Sequence, residues 1–342
     1  MNEYALFQLI HCNRRSYFFV FFFLPLCSLA QTTANEQPPA QFTKTLYCVA
    51  AIDRQTAFAV GEQGIILSTH NGGDRWDVLE HAGGVRSDLY SIRFADSETG
   101  FAVGSDGAML KTSNGGRSWA KVKPMTSKAL VSIRFVNRRV GWVAGYDGTI
   151  FKTTNTGRTW LPESTGTMKH LWSVSFTDAS TGWVTGSGGI VLKTTDGGGT
   201  WRTLEPRLQT FFYSTSFVSR SIGWVAGGYG ALLKTTDGGS TWERQNTRAD
   251  LTIFQSSTFF YGTHFLDTAN GFLVGSDGTI LHAGDGGTVL TPQESHTTEV
   301  LFSIDFVDPY HGWVVGAKGT ILVTSDGGKN WRIQRDHFTL RR

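Results

Sequence analysis

Residues 171–201 read LWSVSFTDASTGWVTGSGGIVLKTTDGGGTW. Four short apolar runs, LWSVSF, GWVTG, IVLKT and a last one opening at Trp201, are separated by clusters of Gly, Asp, Ser and Thr. Runs of that length bounded by turn residues are the pattern of antiparallel strands joined by hairpins. The same pattern stands on both sides, as LYSIRFADSETGFAVGSDGAMLKTSNGGRSW ending at Trp119 and LVSIRFVNRRVGWVAGYDGTIFKTTNTGRTW ending at Trp160. Two more copies end at Trp242 and Trp331, a sixth begins at Leu46 and ends at Trp76, and the seventh ends at Leu290 without its Trp. The closing positions lie 43, 41, 41, 41, 48 and 41 residues apart. A four-strand unit of this length cannot bury both faces alone, and stacking copies around an axis buries them. The chain is therefore expected to be all-β, a seven-bladed β-propeller over residues 46–342. Its repeats are expected to start near 46, 89, 130, 171, 212, 260 and 301.

The remainder of the chain precedes the repeats. Arg14-Arg15 followed by the apolar run YFFVFFFLPL and by Ser28-Leu29-Ala30 reads as an export signal over residues 1–30, cleaved after about Ala30. The expected location is the periplasm or a thylakoid lumen, with secretion also open. Twin-arginine export and lipidation at Cys27 are alternative readings of the same segment. Residues 31–45 form an N-terminal segment that either adds an edge strand or crosses the seam of the ring. The last blade is read as having its own fourth strand, from Trp331 to Phe338. Of 342 residues, 17% are charged and the net charge is +3, falling to +2 without residues 1–30. Such a surface offers no footprint for nucleic acid. Cys48 is the one cysteine past the signal, so no internal disulfide is possible there, and its strand context predicts a buried, inert thiol.

The segment closing each unit reads S/T-x-D/N-x-G-x-S/T-W and resembles the Asp-box, or BNR repeat, of sialidase-type propellers. Its acidic or amide position is Asn71, Asn114, Asn155, Asp196, Asp237, Asp285 and Asp326. An Asx side chain accepts N–H bonds across its own turn, the Gly supplies a positive φ, and the Trp is expected to be buried between blades. These Asx residues are therefore read as structural.

Three sets of residues and one insertion are candidates for function. The G-x-x-G hairpins, such as Tyr146-Asp147 and Lys318 with its neighbour Ala317, occupy the face opposite the Asp-boxes. Tyr47, Tyr90, Trp172, Tyr213, Tyr261 and Phe302 open the innermost strands, either as an aromatic collar for a peptide or sugar or as core between blades. Arg93 and Arg134 share one strand position in adjacent blades, and Arg138 and Arg139 follow on the next loop. These arginines suit a carboxylate or peptide partner, and equally salt bridges within the ring. A seven-residue insertion in 243–259 adds Arg244, Arg248 and Phe254, either as a recognition loop or as a patch for the Trp-less sixth blade.

No site for an enzyme emerges. There is no G-x-S-x-G elbow and no metal-ligand spacing, and no cofactor is expected. A sialidase's Arg-Ile-Pro start and Tyr-Glu pair are missing, and one propeller cannot form the two-domain cleft of a xyloglucanase. The repeat G-W-x-V/A-G…L-K-T-x-D-G-G-x-T-W, as in Gly182-Trp183-Val184-Thr185-Gly186, resembles the photosystem II stability and assembly factor family over about residues 45–335. That resemblance implies a non-enzymatic scaffold that holds a protein or peptide client, such as a membrane-protein precursor, and assigns Arg93, Arg134, Arg138 and Arg139 to the contact. A monomer is expected. The alternative is a glycan-binding or glycan-cleaving propeller.

Overall fold

A short apolar run closed by glycine makes the second strand of every unit, and glycine also opens it in all but blade one, which has Ala57. In Gly182–Gly186 and its six counterparts every residue is buried. The glycines are needed because neighbours press on them: a Cβ on Gly182 would enter the Phe176 ring, and one on Gly186 would meet the His170 carbonyl. In the computed structural model, which describes residues 42–245, 258–334 and 338–340, each unit is a four-stranded antiparallel sheet. Blade four comprises Leu171–Phe176, Gly182–Gly186, Val191–Thr194 and Arg202–Leu204. The other inner strands are Leu46–Ala51, Leu89–Phe94, Leu130–Phe135, Phe212–Phe217, Phe260–Phe265 and Leu301–Phe306. Each packs beside the inner strand of the next blade, and the last returns to the first, so seven blades close a ring around a channel.

One aromatic unit recurs between blades. Trp142, Trp183 and Trp224 of the second strands stack on Phe176, Phe217 and Phe265 of the following inner strands, with centroids 3.5, 3.6 and 3.6 Å apart. Phe58, Phe101 and Phe272 do the same with Phe94, Phe135 and Phe306 at 4.8, 5.3 and 4.5 Å. The Asp-box Trp of the following blade meets the same Phe edge-on, as Trp201 does at 6.0 Å and 87°. Trp142, Trp183 and Trp224 donate Nε1–H to Gly197, Gly238 and Gly286 of the next box. Burial is thus divided differently from the sequence expectation. Trp76, Trp119, Trp160 and Trp331 are buried, whereas Trp201 and Trp242 are half-buried, and the second-strand Trp142, Trp183, Trp224 and Trp313 are all buried as fully as Trp76 or nearly so.

The seam shows a second departure. Blade seven ends its outer strand at Arg332–Ile333, and Phe338–Leu340 runs parallel to the outer strand Trp76–Leu79 of blade one, pairing Phe338 with Trp76. Phe338 therefore belongs to blade one, and its ring stacks on Phe42 at 4.8 Å. That contact and the Lys44–Glu80 ion pair at 2.8 Å place residues 42–45 at the seam, outside the strands. Residues 31–41 lie outside the described residues.

Trp183→Ala is expected to cost about 3–5 kcal/mol, and Trp201→Ala clearly less because solvent already reaches that ring. Equilibrium denaturation of the two variants checks the order. Removing residues 338–342 is expected to cost about 1–3 kcal/mol through the lost stack and strand pairing, read as a lowered melting temperature.

Candidate functional site at the channel mouths

The Asp-box carboxylates of Asp196, Asp237 and Asp326 are committed to their own turns. Asp196 accepts from the Thr194 hydroxyl at 2.8 Å, the Thr200 amide at 2.9 Å and the Thr200 hydroxyl at 2.7 Å. Asp237 repeats the arrangement, and the hydroxyl and amide of Thr241 hold its acid down to about 2. Asn71, Asn114, Asn155 and Asp326 fill the same position. Asp285 does so in a box where Ala283 replaces the first Thr, and the hairpin closes directly from Gly284 to Val289. The amide of Gly115 bonds the Glu98 carbonyl, and Gly197 bonds Ser180. The boxes and the loops after the inner strands therefore share one end of the ring.

At that end the channel is basic. Arg93 donates to the carbonyls of Val49 at 2.8 Å and Ile92 at 2.9 Å, beside the buried Cys48 thiol at 3.5 Å. Asp305, from blade seven, accepts from the Ala51 amide at 3.0 Å and pairs with His264 at 3.0 Å. Burial opposes ionisation of Asp305, but Arg93 and His264 outweigh it and hold the acid at about 2. Arg134 is open to the solvent of the channel, and the surrounding protein and then Arg93 lower its guanidinium from the usual range, with the same Asp305 opposing. Arg93 and Arg134 are thus brought together, within the channel. Arg138 is tied to Asp96 of the preceding blade at 2.8 Å, like Arg54 to Asp308 and Arg220 to Asp178, both at 2.7 Å. Arg139 is exposed beside it. Arg244 is exposed on the short outer strand of blade five, far in the chain from these four, while Arg248 and Phe254 lie outside the described residues.

The opposite mouth is aromatic. Each inner strand carries a bulge at its second residue, where pairing jumps from Leu171 to Ser173 in blade four. A bulge re-aims the extra side chain, and here those residues are Tyr47, Tyr90, Val131, Trp172, Tyr213, Tyr261 and Phe302. Around the mouth Tyr90, Tyr47, Phe302, Tyr261, Tyr213 and Trp172 contact one another in order, with centroids 5.4, 5.6, 5.3, 5.2 and 6.0 Å apart. Tyr146 fills the gap beside Val131, 5.4 Å from Trp172 and stacked on His170 at 4.3 Å. The rings are half-buried against one another around the mouth. Phe211, Phe259 and Tyr229 extend the surface outward, Tyr229 being 54% exposed.

The carboxylates here are unevenly spread. Glu62 and Asp88 accept from the amides of Thr45 and Gln63 at 3.1 and 2.9 Å, and Asp106 accepts from Ser87 at 3.1 Å. Burial, then Asp88 and Glu62, push the Tyr47 phenol far above its usual range, and burial, then Asp88, do the same to Tyr90. Among the described residues no Lys or Arg forms an ion pair with Glu62, Asp88 or Asp106, whereas Lys128 meets Asp147 at 3.4 Å and Lys318 meets Glu299 at 2.8 Å. No group of His, Cys, Asp and Glu among the described residues is placed to hold a metal.

With this geometry in view, comparison with known proteins is decisive for descent. The sequence matches the family described as photosynthesis system II assembly factor YCF48 over residues 31–113, 112–210, 200–291 and 290–340. The chain belongs to the YCF48 family. Among curated protein sequences none matches the chain. A solved structure described as YCF48 bound to D1 peptide is similar at a TM-score of 0.70 and 20% identity, covering 85% of this chain and 95% of that one. YCF48 from Cyanidioschyzon merolae follows at 0.67 and 17%, covering 84% and 97%. The GH74 xyloglucanase from Xanthomonas campestris shares the fold at 0.69 and 12%, covering 88% of this chain and 54% of the enzyme.

One feature of this YCF48-family channel escaped the sequence reading. The third inner-strand residue is Ser in five blades, and its hydroxyl accepts the next blade's amide: Ser91 from Ile133, Ser132 from Val174, Ser173 from Thr215, Ser214 from Thr263 and Ser303 from Val49, at 3.1–3.3 Å. The recurring Ser in L-x-S-x-x-F was the available signal. Because folding lowers the Asp305 acid from 3.8 to about 2, its contribution is full above about pH 4 and is lost as pH falls toward 2. Asp305→Asn is expected to cost about 2 kcal/mol at pH 7 and to flatten urea-denaturation stability between pH 4 and 2.

Proposed function

We propose that this protein is a non-enzymatic assembly scaffold of an exported compartment, periplasm or thylakoid lumen, that holds a segment of a membrane-protein precursor. The observation that carries this reading is the family match running through all seven blades. The relative described as bound to D1 peptide supports a peptide client. The committed Asp-box acids support a scaffold, because a hydrolase needs carboxyl groups free to exchange protons. Export rests on the apolar run and small-residue site in residues 1–30. Arg134, Arg138, Arg139 and Arg244 are the exposed basic contacts of this reading, Arg138 already paired with Asp96, with Arg248 and Phe254 on the connection that follows.

The glycan reading draws on the shared xyloglucanase fold and the aromatic mouth. The expected outcome is that the purified protein captures fragments of membrane proteins from its own host and turns over neither sialosides nor β-glucans. Turnover abolished by a single Asp or Glu substitution would overturn the scaffold. N-terminal sequencing of the protein purified from the host is expected to begin near Gln31.

A further inference from the structure

We propose that the aromatic mouth is a receptor for one basic side chain, a lysine or arginine presented by an extended peptide; this rests on the peptide-client reading. Seven positions at the observed ring spacing close a circle about 12 Å across between centroids, an opening for one side chain and too narrow for a folded domain. The lining is π-surface, whose faces attract a cation. Beside Tyr47 and Tyr90 stand Glu62, Asp88 and Asp106, which form no ion pair with a Lys or Arg among the described residues. Two carboxylates are fixed by backbone amides, so they are in place before a ligand arrives. Burial first, and these acids after it, disfavour ionisation of the two phenols.

The opposite end of the channel sets a limit on depth. Arg93 and Arg134 outnumber Asp305 there, and they repel a cation moving inward from the collar. A basic side chain therefore enters from the aromatic side and stops at the rings. The exposed Tyr229 and the adjoining Phe259 and Phe211 offer apolar footing for the residues flanking it. A glutamate in the same place would meet three carboxylates.

The test uses a blocked heptapeptide with a central lysine flanked by leucines, and the same peptide with norleucine or glutamate at the centre. Binding is followed by calorimetry and by intrinsic tryptophan fluorescence, with Trp172→Phe identifying the part of the signal that comes from the mouth. The lysine peptide is expected to bind about tenfold more tightly than the norleucine peptide, with an advantage that shrinks as salt rises. Asp106→Asn, at an exposed site, and the Glu62→Gln/Asp88→Asn pair, which keeps both amide acceptors, are expected to erase the advantage without lowering the melting temperature. Equal binding of the lysine and norleucine peptides overturns the cation receptor and leaves a peptide scaffold standing. Failure of every peptide, with cellohexaose binding at the same rings, overturns both readings.

Discussion

The innermost strand of a propeller blade is a sheet edge, and an edge carries amides that have no strand to bond. This chain satisfies them across the gap between blades, with a seryl hydroxyl from the preceding inner strand. Ser175, Ser216 and Asp305 repeat the bond nearer the Asp-box end. A hydroxyl reaches only a short way, so these bonds set how closely the inner strands approach and hence the bore of the channel. That bore brings the collar rings within contact and puts Arg93, Arg134 and Asp305 within each other's field. Where Cys48 and Gly262 replace Ser, the belt is interrupted, and Arg93 bridges the first break through the Val49 carbonyl.

Outside the belt the blades are held by stacked aromatics. Each Asp-box presents its glycines to the preceding blade, and a Cβ at Gly198, whose φ is +107, would strain the turn although it would reach Trp142 and Glu163 only at ordinary contact distance. Lys152, Lys193 and Lys234 lie over Trp142, Trp183 and Trp224 at 5.7, 5.3 and 5.5 Å, covering the edge of each stack with a cation. Blade six lacks its box Trp, yet Trp224 still stacks on Phe265 and bonds Gly286. The interface therefore survives there on the second-strand Trp, the member that is buried in full.

Blade count and strand pattern were legible because every unit carries its own punctuation in Gly, Asp and Trp. The collar was legible as a set of positions and not as a surface. Strand alternation assigns a side only to a regular strand, and a bulge at Tyr47 or Trp172 is visible only once the partner's register is known. Arg93 and Arg134 were readable as neighbours, but the acid they share comes from blade seven, far away in the chain. Their convergence with Asp305 follows from ring closure. Arg138 shows the same limit, since Asp96 lies in the preceding blade. Phe338 reads locally as the end of blade seven, and only the folded ring shows that it serves blade one.

That last strand ties ring integrity to the order of synthesis. A nascent chain, made from its N-terminus, completes six blades before Phe338–Leu340 exists, and throughout that time the outer edge at Trp76–Leu79 has no partner. Any product that stops short keeps that edge open to foreign strands and proteases. Phe338–Leu340 thus covers the one outer edge in the ring that carries a fifth strand, and it binds the end of the described chain to the blade that opens it.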